Sequence, residues 1–560
     1  MKTVKLLFLK NLILGFALIM TMPALAQEYN IENVGRVGIR NSGTIMDGNI
    51  IKGYYFFYFS EKISKKENAY EIVVLDENLV EKSSSKMTDS KSAFLLEASY
   101  NGKNILFKFY DSKSKTVSYR TIDEAGKVSS KETREPDKTE QMTYLTAVTN
   151  ELENTNLQAI NDKLFVDIYN VKTKKYTFSV QGLNNSGKIV WTYDHVPTSK
   201  VETGSFLGSS KDQIWIAVAK AKNITTKNYS FDLMGLNTEG EKDFDIPLVN
   251  KKYNMLAINA VYNQKKDEII VLGEYFDIED KAMKSDSKGV FIKVISPTGE
   301  EISENFISWS RDVADLVSSE QKKELSKYYV FFHNVVQTAD GRIYAIGEQY
   351  RKQVSAAGVA MNVLAASSSN VSTNASTMEI KFGNMVVLEI SPDYELSKVH
   401  IHDKKARTDV LPQGYGTVSQ HLLARLLKSV GMFDYCFTQN NEDASLVSFA
   451  YTDIEKVKGK LKKQAVVHFV HYVQGQEEYS EDKIELSTEA SSIAFMAAKP
   501  GYVLISEYYK KEKKASFRLE PLNYKNLVLH KKRPAKPAFF ISIFFAFANF
   551  AELLPNTHPL

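Results

Sequence analysis

The sequence predicts an all-β protein, a β-propeller of about seven or eight blades with short helical insertions. Three observations carry this. A strand–turn–strand phrase recurs along the chain. A second phrase, with a continuously apolar strand, precedes each copy. Aromatic residues, which suit a pleated surface, are abundant, with 30 Tyr and 31 Phe among 560 residues.

The first phrase reads "VSYRTIDEAGKVSS" from Val117, "TFSVQGLNNSGKIVW" from Thr177, "SFDLMGLNTEGEKDF" from Ser230, "VFIKVISPTGEEIS" from Val290 and "VVLEISPDYELSKV" from Val386. Each is an apolar strand, then Asn, Asp, Ser or Pro, usually Gly, then Lys or Glu. Such residues set a tight hairpin turn by supplying positive or fixed φ. "YEIVVLDENLVEKS" from Tyr70 is an earlier copy, with Leu79 where the glycine falls; Tyr394 takes that place in the last copy.

The second phrase includes "GKNILFKFYDSK" from Gly102, "KDEIIVLGEYFD" from Lys266, "DGRIYAIGEQYR" from Asp340 and "PGYVLISEYYKK" from Pro500. A half-exposed strand alternates polar and apolar residues, whereas a continuous apolar run is covered on both faces. Inner strands of packed blades meet that condition. Tandem β-sandwiches would need a period nearer about 100 residues.

Before the repeats comes a secretion signal at 1–26. Lys2, Lys5 and Lys10 precede the apolar "NLILGFALIM", and Ala24-Leu25-Ala26 forms a small-x-small cleavage site. Removing three lysines and no acid lowers the net charge from +4 to +1. So neutral a chain offers no basic footprint for nucleic acid. Cys436, the single cysteine, cannot form an internal disulfide, so an exported fold here has no such staple. The expected organisation is a propeller domain over 27–525 and a basic, Phe-rich extension over 526–560. Insertions fall near 311–330, 351–383 and 405–431. The first has helical composition and the second reads as an exposed loop or hairpin. The third places Leu422, Leu423, Leu426 and Leu427 on one helical face. Within the extension, Phe539–Leu554 is short for a membrane span and contains Asn549 and Glu552.

Candidate chemistry is sparse. Glu274, Glu348 and Glu507 recur late in the second phrase. They could converge on the channel as acids or metal ligands. They equally fit a repeated end-of-strand polar position, the reading favoured here. His400 and His402 lie two apart on a strand and could share a metal; His468 and His471, three apart, face opposite sides. No phosphate-binding glycine loop, Gly-x-Ser-x-Gly elbow or His-Glu-x-x-His occurs, so no cofactor is expected.

The signal with the "DGRIYAIGEQY" and "ISPTGEE" phrases resembles uncharacterised secreted β-propeller-like proteins of Bacteroidota, over roughly Tyr29 to Lys525. That resemblance implies an exported, envelope-associated protein and no catalytic residue. The expectation is a binding or scaffolding module for a protein or glycan ligand, in the periplasm, on the outer membrane or outside the cell. The alternatives are a carbohydrate-active hydrolase or lyase with carboxylates in the channel, and an envelope structural protein associated through its tail.

Overall fold

The computed structural model describes residues 27–34, 42–47, 50–149, 156–223, 226, 228–282, 284–355, 377–411, 420–455, 464–486 and 488–522. The signal segment 1–26 and the extension 526–560 lie outside the described residues.

The protein is a β-propeller. Its antiparallel strands form four-stranded meanders, here called units 1 to 8 in chain order. They span 42–90, 93–134, 157–194, 201–247, 253–308, 329–402, 435–485 and 492–521. Strands within a unit are a to d. Units 3 and 4 join into one sheet through a single parallel pair, Tyr176 with Val201. Unit 6 gains a fifth strand, Arg407–Val410. Unit 8 supplies only three strands itself, and Glu28–Ile31 pairs antiparallel with its outermost strand, Lys514–Pro521, to complete it.

The apolar runs behave as their sequence requires. In unit 5, Ile269 and Val271 pack against Trp215 and Leu233 of unit 4. Their neighbours Ile270 and Leu272 point the other way, against Phe332 and Ala345 of unit 6. One strand therefore serves two interfaces, and burial on both faces removes alternation. The same holds around the ring, and the last interface packs Leu504 and Phe517 of unit 8 against Tyr54 and Phe56 of unit 1. The ring is closed by packing as well as by the strand Glu28–Ile31.

Strand direction gives the propeller two unlike ends. Turns from a to b and from c to d lie at one end; b-to-c loops and links between units lie at the other. The first end is built of tight turns. Gly126, Gly187, Gly240 and Gly299 all have φ between +73° and +85°. Leu79 and Tyr394 occupy the same turn position at φ +63° and +65°. Both are buried, so packing offsets the left-handed strain that glycine would avoid.

The second end carries every insertion. It holds the helix α1 (Lys138–Thr149), a π-turn at Trp309–Val313, the helix α2 (Ser319–Leu325) and the helix α3 (Gln420–Ser429). α2 starts with a complete capping box, Ser318 with Gln321. The described ends of the 351–383 insertion are strand. Strands b and c of unit 6 extend to Val354 and from Met378, because Ile380 and Phe382 find a buried face against α3. In α3, Leu423 and Leu427 are buried but Leu422 is 45 % exposed. The expected four-leucine face is thus narrower, with Ala424 completing it.

Candidate functional site

Strand b delivers the three recurring glutamates to the insertion-bearing end, at matching positions in units 5, 6 and 8. Each is then met by different chemistry. Glu274 lies 3.0 Å from Nδ1 of His421 on α3. Glu507 lies 3.7 Å from Nε of Arg518 and accepts from Tyr509 Oη at 3.4 Å. Glu348 is fully buried. It accepts the backbone N–H groups of Asp434 and Tyr435 at 3.0 Å and sits 3.0 Å from Lys404 Nζ. The structure thus gives these residues a repeated position with separate partners, and Glu348 anchors the start of unit 7.

Around Glu348 a charged cluster is enclosed between units 6 and 7. Lys404, with no side-chain exposure, touches both Glu348 and Asp434. Arg407 Nε donates to Asp434 at 3.0 Å, and its guanidinium lies 4.6 Å over Phe382. His333 stacks on Tyr435 at 4.4 Å with Nε2 3.6 Å from Glu348. Burial holds the His333 imidazole down to about 4, so it is neutral at physiological pH. Burial pushes Glu348 up, but Lys404 and His333 outweigh it and hold the carboxyl low. Asp434 moves the opposite way: burial dominates, and Glu348 adds like charge. Cys436 lies two residues on, in the first strand of unit 7, its thiol raised to about 12 by burial and neighbouring acids, which keeps it protonated.

His400 and His402 are each engaged by neighbouring side chains. His400 Nε2 meets Glu389 at 3.1 Å. His402 is bonded on both nitrogens, to Glu481 at 3.0 Å and Tyr472 Oη at 2.8 Å. Proximity on one strand face is real, but neighbouring acids and a tyrosine use the donor atoms. His468 and His471 part as the spacing requires. His471 meets Ser448, while His468 joins Asp453 and Glu455 in a cluster whose possible ligand atoms lie within 4.8 Å of one another. There Glu455 already bridges His468 at 2.8 Å and Lys483 at 2.7 Å.

An open groove of about 590 Å³ lies at the insertion-bearing end of unit 5. Glu279, Asp280, Lys281, Lys284, Ser285, Asp286 and Lys288 line it, so acids and bases balance. Its floor is tied to α3 through His421 Nε2 and the Ser285 carbonyl at 3.1 Å, and to unit 6 through Tyr329 and Asp286. Exposed large apolar side chains also gather at this end, among them Phe94, Met142, Val196, Ile278, Leu316 and Leu422. Among the described residues only Val80, Val190 and Ile302 lie towards the other end.

No local motif announced the groove or the Lys404 cluster. The groove is lined by a single stretch, Glu279 to Lys288, and hydrogen bonds in the Lys404 cluster join residues up to 87 positions apart.

Fold and site define a β-propeller with a plain end of tight turns and an elaborated end that carries its open groove. The chain belongs to DUF6770, a family of unknown function, whose model matches residues 7–523. No curated protein matches it. Among solved structures it is similar to the WD40 domain of SCAP from fission yeast, at 9% identity and TM-score 0.36, covering 88% of this chain and 98% of that one. It is also similar to a hypothetical selenium-binding protein from Sulfolobus tokodaii, at 9% identity and TM-score 0.33, covering 77% and 96%. The fold assignment rests on the strand ladders and interfaces, not on these distant likenesses.

Proposed function

We propose that the protein is an eight-bladed, exported binding or scaffolding module of the cell envelope. Each four-stranded unit counts as one blade. The insertion-bearing end takes a protein or glycan ligand. The asymmetry between the ends carries this reading. One end is closed by tight turns, while the other combines a charge-balanced groove with exposed apolar side chains. Such mixed surfaces suit recognition of large neutral ligands.

Ligand identification by pull-down and glycan array comes first. Ile278→Asp and Leu316→Asp should then weaken binding by about tenfold or more, as expected for contacts worth over 1.4 kcal/mol. Val80→Asp and Ile302→Asp, at the plain end, should bind as wild type. Loss of binding in the second pair with retention in the first would overturn the assignment of the face.

A further inference from the structure

Lys404, Asp434 and Glu348 are arranged for a reaction that an ion pair alone does not require. Lys404 lies two residues past the outer strand of unit 6, and Asp434, 30 positions later, immediately precedes unit 7. Their side chains are in direct contact, with Lys404 unexposed and Asp434 only 12 % exposed. Glu348, also unexposed, reaches the same Nζ at 3.0 Å. Aromatic groups wall the cluster: Phe433 and Phe382 are buried in one apolar group, and Tyr435 carries the stacked His333. An amine and a carboxyl held in contact inside a folded cluster lose most of the entropic barrier to joining.

We propose that Lys404 Nζ and Asp434 Cγ condense into an intramolecular isopeptide bond, with Glu348 as the proton-transferring catalytic residue. The Lys404 ammonium first passes a proton, through Glu348, to the Asp434 carboxylate. A neutral amine then faces a neutral acid. The Nζ lone pair attacks Cγ. Arg407 Nε, 3.0 Å from Oδ1 of Asp434, stabilises the oxygen that gains charge. Glu348 takes the second proton from Nζ and returns it to the departing hydroxyl. The C–O bond breaks, one water leaves, and Glu348 ends as it began. Nothing is oxidised or reduced.

Electrostatics favours the product. Condensation removes one cation and one anion and leaves a neutral amide, with Arg407 still paired to Asp409, and burial of unneeded charges is unfavourable. Burial displaces the Asp434 carboxyl upward, which favours the neutral acid, while Glu348 and Asp434 hold the Lys404 ammonium charged, so the first proton transfer is the uphill step. The product would tie off the segment 405–433, with α3 inside it, at its base. It would give this chain, with its lone cysteine, a covalent staple of another kind.

Peptide mapping of the full-length protein by tandem mass spectrometry tests this. The expected product is a branched tryptic peptide, lighter by one water, joining the Lys404 peptide to the Asp434 peptide, with no cleavage after Lys404. Glu348→Gln should abolish it. Asp434→Asn should still form it, with loss of ammonia in place of water. On a denaturing gel, chains nicked once within 405–433 should run as one species. Linear peptides with cleavage after Lys404 in the wild-type protein would overturn the proposal. So would a water loss confined to Asp434, which marks a cyclic imide. The wild-type map decides the matter even if a variant fails to fold.

Discussion

Two junctions of the ring solve the same problem with different electrostatics. Between units 2 and 3, Glu97 accepts the N–H groups of Asn156 and Leu157. Lys108 bridges it, at 3.6 Å, to Asp167 at 2.7 Å. Between units 6 and 7, Glu348 accepts the N–H groups of Asp434 and Tyr435, and Lys404 bridges it to Asp434. In both, a buried glutamate starts the next unit and a buried lysine crosses to an aspartate. The outcomes differ. Burial, aided by like charge on Asp167, pushes Glu97 up despite Lys108. Glu348, with its lysine at 3.0 Å and His333 beside it, is pushed down. A few tenths of an ångström and one extra partner decide whether burial or charge prevails.

The sharpest way to break the comparison is to strip a lysine of its aspartate. Asp167→Ala leaves Lys108 deep in the sheet with only the more distant Glu97. It should cost about 3–5 kcal/mol, measured by urea unfolding. Paired replacement, Lys108→Met with Asp167→Leu, should restore most of that loss.

The two glutamates should then separate. Glu348→Gln should cost at least about 1–3 kcal/mol at neutral pH, since the N–H groups of Asp434 and Tyr435 lose a charged acceptor. Glu97→Gln should cost less, because burial already works against the ionised form there. The pH dependence sharpens this. Glu348 has a folded pKa below its unfolded 4.5, so its contribution is present above 4.5 and lost as pH falls through the folded value. Acid unfolding of wild type should therefore steepen below 4.5, and Glu348→Gln should flatten that limb. Equal acid profiles in the two glutamine variants would remove the distinction.

The smallest effect should come from α3. His421 faces two acceptors, the Glu274 carboxylate and the Ser285 carbonyl, so the charged imidazolium satisfies both. Burial opposes the charge, but Glu274 outweighs it and the pKa is raised above 6.5. The contribution is complete below 6.5 and lost as pH rises through the folded value. Amide exchange in Gln420–Ser429, corrected for intrinsic rates, should grow several-fold faster over that rise, while α1 does not. No change, or the same change in His421→Phe, would exclude this latch.

The lines between legible and hidden features follow the range of the forces. Turn positions were legible because φ is a local property: the phrase that placed Leu79 and Tyr394 beside four glycines found them at positive φ. Two-face burial of Ile269 to Leu272 was legible because packing on both faces removes alternation over a few residues. α1 was missed because its apolar periodicity is weak and its anchor is a polar one, Glu140 to Arg134 and Tyr144. The Lys404 cluster was hidden altogether, because each member is an ordinary polar residue until the ring brings 348, 404 and 434 together. The glutamate motif was seen in the sequence, but its partners were not.

Completing unit 8 with Glu28–Ile31 has a consequence for how the molecule is made. Ser516 bonds Glu28 across 488 positions, a contact that cannot exist until nearly the whole chain is available. Until then the first strand has no ladder partner and the last blade has an unpaired edge, the arrangement that invites pairing between chains. Closing so long a loop is also the slowest kind of contact to form. A ribosome that stalls before Lys514 would therefore release not a slightly shortened propeller but an open, adhesive arc.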